Sequence, residues 1–555
     1  MKSSLRIVGS LVLGLIVESA GQDRDRTAAA VSTEYTVVER GPHRRVWERV
    51  RWELSPLGER VPVRQTYVEL ETGMHYLAGG QWVEARAEIE SVPGGAVARQ
   101  GQCVVRFANN LAAEGSIELL APDGRRLRSR VLGLSYFDAA SGRSVLIAEV
   151  KDSQGVVAGT NQVVYEDAFT DLKAAVRYTV TRNSFEQDVL LLERPPFWPE
   201  DYGLDPATTR LQVLTEFVDP PIPSLVAGSA VGGAGGGSDP TIHFGAVQIR
   251  QGKAFFLDAA AEPGRAVGVS KQWLKLEGRD FLVEEVPLPP LRQELKALPA
   301  PEGASAPSRT NTLRQALIRQ RPLTQQAAGA PAPAPEMRVA SLSAPRQALL
   351  LDYLLTLSGD TNDFTFDGAT TYHVSGTVNL SGLTTFEGGA VIKYSPGASL
   401  NLLPGSSVRF NGRPYLPVVF TARDDDSVGV TVNGSSGTPS GYYANPALGF
   451  QGSAAVLSVN LAHFRMAFAQ VGVSASAVSL SVNLSDGQWV DCQTGIQVPG
   501  QGTVSLRNLL LARFQTALSL AYANASAQNV TFDGLPPAPP GYLPSCLLMP
   551  AGDPG

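Results

Sequence analysis

The chain is poor in cysteine. Cys103, Cys492 and Cys546 are the three in 555 residues, far apart and odd in number. That excludes a disulfide framework, and no Cys-x-x-Cys pair stands ready for zinc. In strand-like apolar phrases, Cys103 and Cys492 read as small buried side chains. Histidine is scarce too. His43, His75, His243, His373 and His463 are solitary in sequence, and none has a partner at metal-ligand spacing. No Gly-x-Ser-x-Gly elbow marks a nucleophile. The glycine-rich run at 228–238 lacks the Lys-Ser/Thr ending of a phosphate cradle and reads as a loop. Charged residues make up 18%, the net charge is only -6, and there is no basic tail, which argues against a nucleic-acid partner. No apolar run is long enough for a stable membrane-spanning helix, so no transmembrane segment is expected in the mature chain.

What is present begins with a secretory pattern. A basic start, MKSSLR, precedes an apolar stretch at 7–17, and Val17, Ser19 and Gly21 offer small residues for cleavage. Residues 1–21 are therefore expected to be a signal peptide. The protein is then secreted, extracellular or at the cell surface, with the periplasm as the alternative. The 55 glycines and 39 prolines, with few charges, suit many short strands joined by turns.

Residues 31–290 carry hairpin signals without helical crossovers. Pro122-Asp-Gly124 separates two apolar runs, Ser141-Gly142 precedes another, and 174–180 alternates before a turn and 185–191. The expectation is an antiparallel β-sandwich. On 185–191, Glu186 and Asp188 share a strand face expected to be polar and exposed. Residues 291–348 turn rich in alanine and proline and read as an extended linker, with a short helix at 310–321.

The C-terminal part repeats itself. AQVGVSA at 469–475, CQTGIQV at 492–498 and FQTALSL at 514–520 align with a period of about 23 residues. A repeat this short must stack on its neighbours to bury its apolar face. Strand-sized phrases separated by Gly, Pro and Asn extend the pattern back toward Phe364. Residues 349–535 are thus expected to be a stack of β-coils, followed by a proline-rich tail at 536–555. Asn460, Asn483, Asn508 and Asn529 recur at steps of 21 to 25 residues and suggest stacked corner amides.

The succession FEGGAVIKY (386–394), ASLNL (398–402), GSSVRFNG (405–412) and PVVFTARDDD (417–426) resembles the opening coils of right-handed parallel β-helix proteins, the pectate-lyase-like superfamily. The resemblance covers about 360–535. It implies an all-β chain, sandwich first and right-handed parallel β-helix last. It leaves activity open, because this fold serves lyases, glycosidases, tailspikes and adhesins. More weakly, VRYTVTRNSFEQDVLL (176–191) resembles N-terminal β domains of large secreted bacterial surface proteins of the type associated with Rhs/YD repeats.

Lyases of that superfamily pair acidic clusters and calcium with a basic residue. The resemblance therefore points to Asp424, Asp425 and Asp426 as metal ligands, calcium being the cation such a cluster suits. Arg423, Lys393 and Arg409 are the basic candidates, provided that stacking brings them to one wall. The alternative is a solvated acidic turn. Trp489-Val-Asp-Cys492 is a near miss for the lyase phrase ending in His, and Cys492 sits in the core register, so Trp489 and Cys492 read as rung packing. The Arg-x-Pro-x-x-Arg phrase of the lyases is absent from the coils, and the Gly-His-Gly phrase of the glycosidases is missing too.

The leading expectation is an exported bacterial surface or extracellular structural protein of the adhesion type, without its own catalysis. The partners would be extracellular polysaccharide or cell-surface components. One alternative is a calcium-dependent polysaccharide lyase or another carbohydrate-active β-helix enzyme. The other is a glycan-binding module, for which Trp47, Trp52 and Trp82 are the candidate stacking platform. Trp47 breaks the alternation of its strand and is the ligand-facing candidate among them.

Overall fold

The computed structural model describes residues 34–226, 240–250, 252–257, 267–301, 336–340, 348–357, 361–368, 370–451, 457–476, 480–533 and 545–548. The signal segment, the glycine-rich loop and the short helix at 310–321 lie outside these residues. The described chain is almost all β, with an antiparallel region followed by a parallel β-solenoid of about seven turns.

In the antiparallel region the predicted turns do their work. The strand Ile117–Leu120 pairs Arg126–Asp138 across Pro122-Asp-Gly124, and Ala174–Val180 pairs Ser184–Leu191 with Val180 opposite Phe185. One layer runs from Glu90–Val92 through Arg126–Asp138 and Thr209–Val218 to Arg279–Pro287. The other contains Gly155–Ala158 to Ser184–Leu191. The two layers do not merely face each other. Val267–Leu276 pairs with Arg279–Pro287 on one side and Gly252–Leu257 on the other, so the ladder of strands closes on itself around one apolar core.

The segment after the Ala/Pro-rich stretch returns to this region. Ala348–Leu357, the start of the expected coils, instead pairs antiparallel with Ser184–Leu191 and Gly252–Leu257. Its continuous apolar run suits a strand buried between neighbours. Arg338–Ala340, within the expected linker, pairs parallel with Gly155–Ala158. Asp188, expected on an exposed face, is buried and ion-paired to Arg177 at 2.7 Å, because its face is covered rather than wet.

The solenoid has three walls. Wall A stacks Thr371–Val374, Val391–Tyr394 and Val418–Ala422, then 464–467, 487–490, 509–512 and 530–533. Wall B stacks Thr377–Ser381, Ser399–Leu402, Leu448–Gln451 and Val471–Ser476, then 494–498 and 516–520. Wall C begins with Thr365–Phe366, Leu383–Glu387 and Ser407–Asn411, and 457–462 and its successors continue it. The sequence repeat is the wall B register: Val471 meets Thr494, which meets Thr516.

Alternate side chains point inward and stack from coil to coil. Phe366, Phe386 and Phe410 form a column on wall C, with ring centroids 4.5 and 4.7 Å apart. On wall A, Phe464, Trp489 and Leu511 fill the core, and Trp489 meets Phe464 edge-on at 4.8 Å. Close packing requires small neighbours here. A Cβ on Gly487 would stand 2.3 Å from the Phe464 ring, and one on Gly472 2.5 Å from Trp489 Nε1. Trp489 and Cys492 are fully buried rung residues.

The corners explain the asparagines. His463, Asp486, Asn508 and Asn529 each adopt a left-handed backbone at the same corner, where Asn and Asp pay least. Asn529 Nδ2 donates to Asn508 Oδ1 at 2.7 Å, and Asn508 Nδ2 to Asp486 Oδ1 at 3.0 Å. Asn483 and Asn460 form a separate pair at 2.9 Å, in register with Ser505. The four asparagines are two rows, not one, which is why their spacing is uneven.

Deleting the indole of Trp489 removes the largest buried side chain of the core. Trp489→Ala is expected to lower unfolding free energy by about 3–5 kcal/mol, while Thr531→Ala on the outer face of the same wall changes it by less than about 0.5 kcal/mol. Urea denaturation of the two variants checks this; equal effects would contradict the packing described.

Candidate functional site

The antiparallel hairpin at the start of the described chain positions the site. Strands β1 (Thr36–Arg40), β2 (Arg44–Leu54) and β3 (Arg60–Leu70) form a ribbon. β3 then pairs parallel with the first strand of wall A: Val68, Glu69 and Leu70 face Tyr372, His373 and Val374. Leu70 thereby enters the coil core, while Glu69 points outward beside His373. The outward row continues with Lys393 and Thr421.

An outward row on a solenoid is normally wet. This one is not, because the segment between Val418–Ala422 and Leu448–Gln451 folds back across it. Val430 N donates to Thr371 Oγ1 at 2.9 Å, Asn433 N to the Tyr67 hydroxyl at 3.1 Å, and the Tyr35 hydroxyl to Thr431 O at 2.5 Å. The loop is thus strapped to the hairpin and to the first coil. Beneath it the side chain of Lys393 has no exposure at all, and His373 is buried.

The acidic run begins this loop. Asp424 accepts from Ser436 N at 2.7 Å and from the Tyr443 hydroxyl at 2.8 Å, with Arg423 Nε at 3.5 Å. Asp425 accepts from Thr421 Oγ1 at 2.6 Å, and from Ser427 N at 3.0 Å and Ser427 Oγ at 2.5 Å. Asp426 accepts from Ser435 Oγ at 3.0 Å and lies 3.9 Å from Lys393 Nζ. Lys393 itself donates to the Asp425 carbonyl at 2.7 Å. Burial alone would raise the Asp424 and Asp425 pKa values, but these hydrogen bonds win and lower them. Burial lowers Lys393, and the three aspartates oppose it.

Stacking therefore does bring Lys393 to Asp424, Asp425 and Asp426, and Arg423 stands at the edge of the same cluster, reaching Gly434 O at 3.2 Å. Trp47 joins it from the hairpin. Its Nε1 donates to Glu69 Oε2 at 2.5 Å, its ring stacks on Tyr67 at 6.1 Å, and Arg45 lies over it at 4.9 Å. Trp47 is thus half-buried packing rather than an open platform. Trp52 is five residues along the same unbroken strand and so on the opposite face. Arg409 lies on wall C, away from the cluster.

This arrangement is poor for calcium, which takes six to eight oxygens around one point. The carboxylates diverge toward separate donors, and among the described residues no three of His, Cys, Asp and Glu are grouped as a metal site. The acidic run is only partly a solvated turn: Asp424 and Asp425 are buried, and Asp426 is exposed. A groove of about 490 Å³ opens instead at the N-terminal end of the coils, between the hairpin and 363–372, lined by Arg44, Val68, Phe364, Asp367 and Tyr372 among others.

Tyr35, Tyr67, Glu69, His373 and Tyr443 were not singled out by sequence. For His373 a signal exists, since it precedes Lys393 by about one coil and occupies the same wall phrase. The others meet the cluster through contacts that no local pattern encodes.

His373 makes the cluster sensitive to acid. Burial pushes its pKa down to about 4, Glu69 opposing and Arg423, Arg45 and Lys393 assisting. Its Nε2 shares a hydrogen bond with Ser395 Oγ at 2.9 Å, and Nδ1 is buried without a partner. Unfolded histidine takes its proton near 6.5, so between about 6.5 and 4 the unfolded state binds more protons and stability falls as pH falls. The histidine's share is about 3 kcal/mol by pH 4. Urea midpoints measured against pH should therefore decline across that window, and His373→Gln should flatten the decline. The loss at lower pH should survive the substitution, because the lowered carboxylates of Asp424 and Asp425 stabilise the fold until pH falls through their own pKa values. An unchanged slope in His373→Gln would refute the assignment.

No protein-family model matches the chain, and no curated protein matches it.

Proposed function

We propose that this chain is an exported bacterial surface or extracellular structural protein of the adhesion type, without its own catalysis. One observation carries the reading. Lys393 and His373, which converge on the coils, are buried beneath a strapped loop, and Lys393 and the aspartates are bonded by the chain itself. A general acid or base must reach its substrate, and a buried lysine under a loop tied at several points does not. Coils also present long ribbed walls, a geometry suited to contact over a wide surface.

The resemblance to pectate-lyase-like β-helices and to secreted Rhs/YD-associated domains belongs to the same proposal. It favours export and a role outside the cytoplasm, with polysaccharide or cell-surface components as partners. The rival lyase reading has one observation in its favour: Lys393 of wall A and Asp426 of the loop that crosses it do meet, 3.9 Å apart. The glycan-binding reading has less, since Trp47 and Trp52 occupy opposite faces of their strand.

Incubation of the purified protein with a panel of acidic polysaccharides, with and without calcium, separates these readings. The expected outcome is no release of unsaturated or reducing ends. Depolymerisation that disappears in Asp424→Ala, in a variant that keeps its fold by circular dichroism, would establish the lyase instead.

A further inference from the structure

The β2–β3 ribbon is only half used by the body of the protein. Its register runs without a break from Arg44 opposite Leu70 to Leu54 opposite Arg60. The base is buried through Tyr67, Glu69 and Leu70, but from 51 to 62 every residue except Ser55 is exposed. The outer half is thus a two-stranded arm, a form that gains little stability from its own burial.

The arm ends in apolar side chains. Trp52 is 47% exposed, Leu54 72% and Leu57 87%. They are not scattered. Paired residues of an antiparallel ribbon share a face, which puts Trp52 with Pro62 and Leu54 with Arg60, and Leu57 at the turn beyond them. The acid Glu53 alternates onto the other face, where Arg51 lies 3.9 Å from it, and Glu59 belongs to the turn between the strands. Nearer the base, Glu48 is matched by Arg64 at 3.1 Å. At its paired positions the Trp52 face of the apex therefore carries Trp52, Leu54 and Pro62 and one cation, Arg60, with no acid, and Leu57 projects from the turn beyond them. The turn is tied as well: Ser55 N donates to Glu59 O at 2.8 Å, Gly58 N to Ser55 O at 2.9 Å, and Ser55 Oγ accepts from Glu59 N at 3.2 Å. The apex is held in shape before it meets anything.

We infer that this apex is a membrane-contact device, inserting Trp52, Leu54 and Leu57 into the interfacial region of a lipid bilayer while Arg60 remains at the headgroups. The shape favours lipid over a protein surface. A convex apolar apex on a narrow arm buries its area against another protein only in a matching pocket, whereas a bilayer interface closes around it. Indole at the interface, aliphatic side chains deeper and arginine among the phosphates is the distribution that such insertion favours. Three side chains give reversible attachment, not anchoring. The inference goes beyond the proposed role and stands whether or not the coils have an enzymatic activity.

Vesicle sedimentation of the full chain tests it, with phosphatidylcholine alone and with phosphatidylcholine containing about a third phosphatidylglycerol. The chain should sediment with both, and more with the anionic vesicles because of Arg60. In Trp52→Ser/Leu57→Ser the bound fraction should fall about tenfold, with the thermal midpoint unchanged because both side chains are exposed. No sedimentation with either vesicle overturns the inference, as does equal sedimentation of the variant. A concentration-dependent dimer that the same substitutions abolish would assign the apex to self-association and overturn it too.

Discussion

The structure depends on a parallel pairing of three residues from each of two segments some three hundred positions apart. Val68, Glu69 and Leu70 lie against Tyr372, His373 and Val374 as though β3 were one more coil. A solenoid's first rung has an open edge, with unpaired backbone groups and an uncovered core, and such ends invite association. Here β3 supplies the missing rung: Leu70 completes the core inside, and the β1–β2 ribbon carries the sheet outward and turns it antiparallel. The cap is borrowed from the opposite end of the sequence.

The same strand determines what the coils can do. Glu69 and Tyr67 lie on the outer face of the cap, beside the row of His373 and Lys393. Tyr67 holds the returning loop, Glu69 collects Arg45 and Trp47, and the aspartates stitch the loop's own turn. The outcome is a polar cluster built like a core. Its charges are affordable only because each is bonded, and a buried charge left unpaired would cost several kcal/mol. Under the proposed function, a composition that suggests a reactive cleft serves to seal the cap. The face of the ribbon left over, beyond the coils, is where apolar side chains remain in water.

Much of this fold was legible from local pattern. Hairpins such as those across Pro122-Asp-Gly124 and between 174–180 and 185–191, and the Gln-centred repeat of wall B, encode pairings between near neighbours, so the sequence displays their period directly. Ala348–Leu357 was misplaced because an apolar run beside a linker carries no mark of which sheet receives it. Its partners are set by the long-range core of the antiparallel region. The site divides in the same way. Asp424, Asp425, Asp426, Arg423 and Lys393 were legible as a charge cluster within two successive coils, and Trp47 as an irregularity of alternation. Their burial was not, since it comes from Tyr35, Tyr67 and Glu69, and no periodicity links those residues to the loop they hold.

The central claim is that the hairpin closes the solenoid. Hydrogen exchange of the first coils, read by mass spectrometry in the native chain and in Leu70→Asp, tests it most directly. If β3 is the terminal rung, the substitution puts a carboxylate into the coil core, and protection of the amides in 371–374 and 391–394 collapses while the strands of the antiparallel region keep theirs. If the first coils retain native protection in Leu70→Asp, they close without the hairpin and the account is wrong.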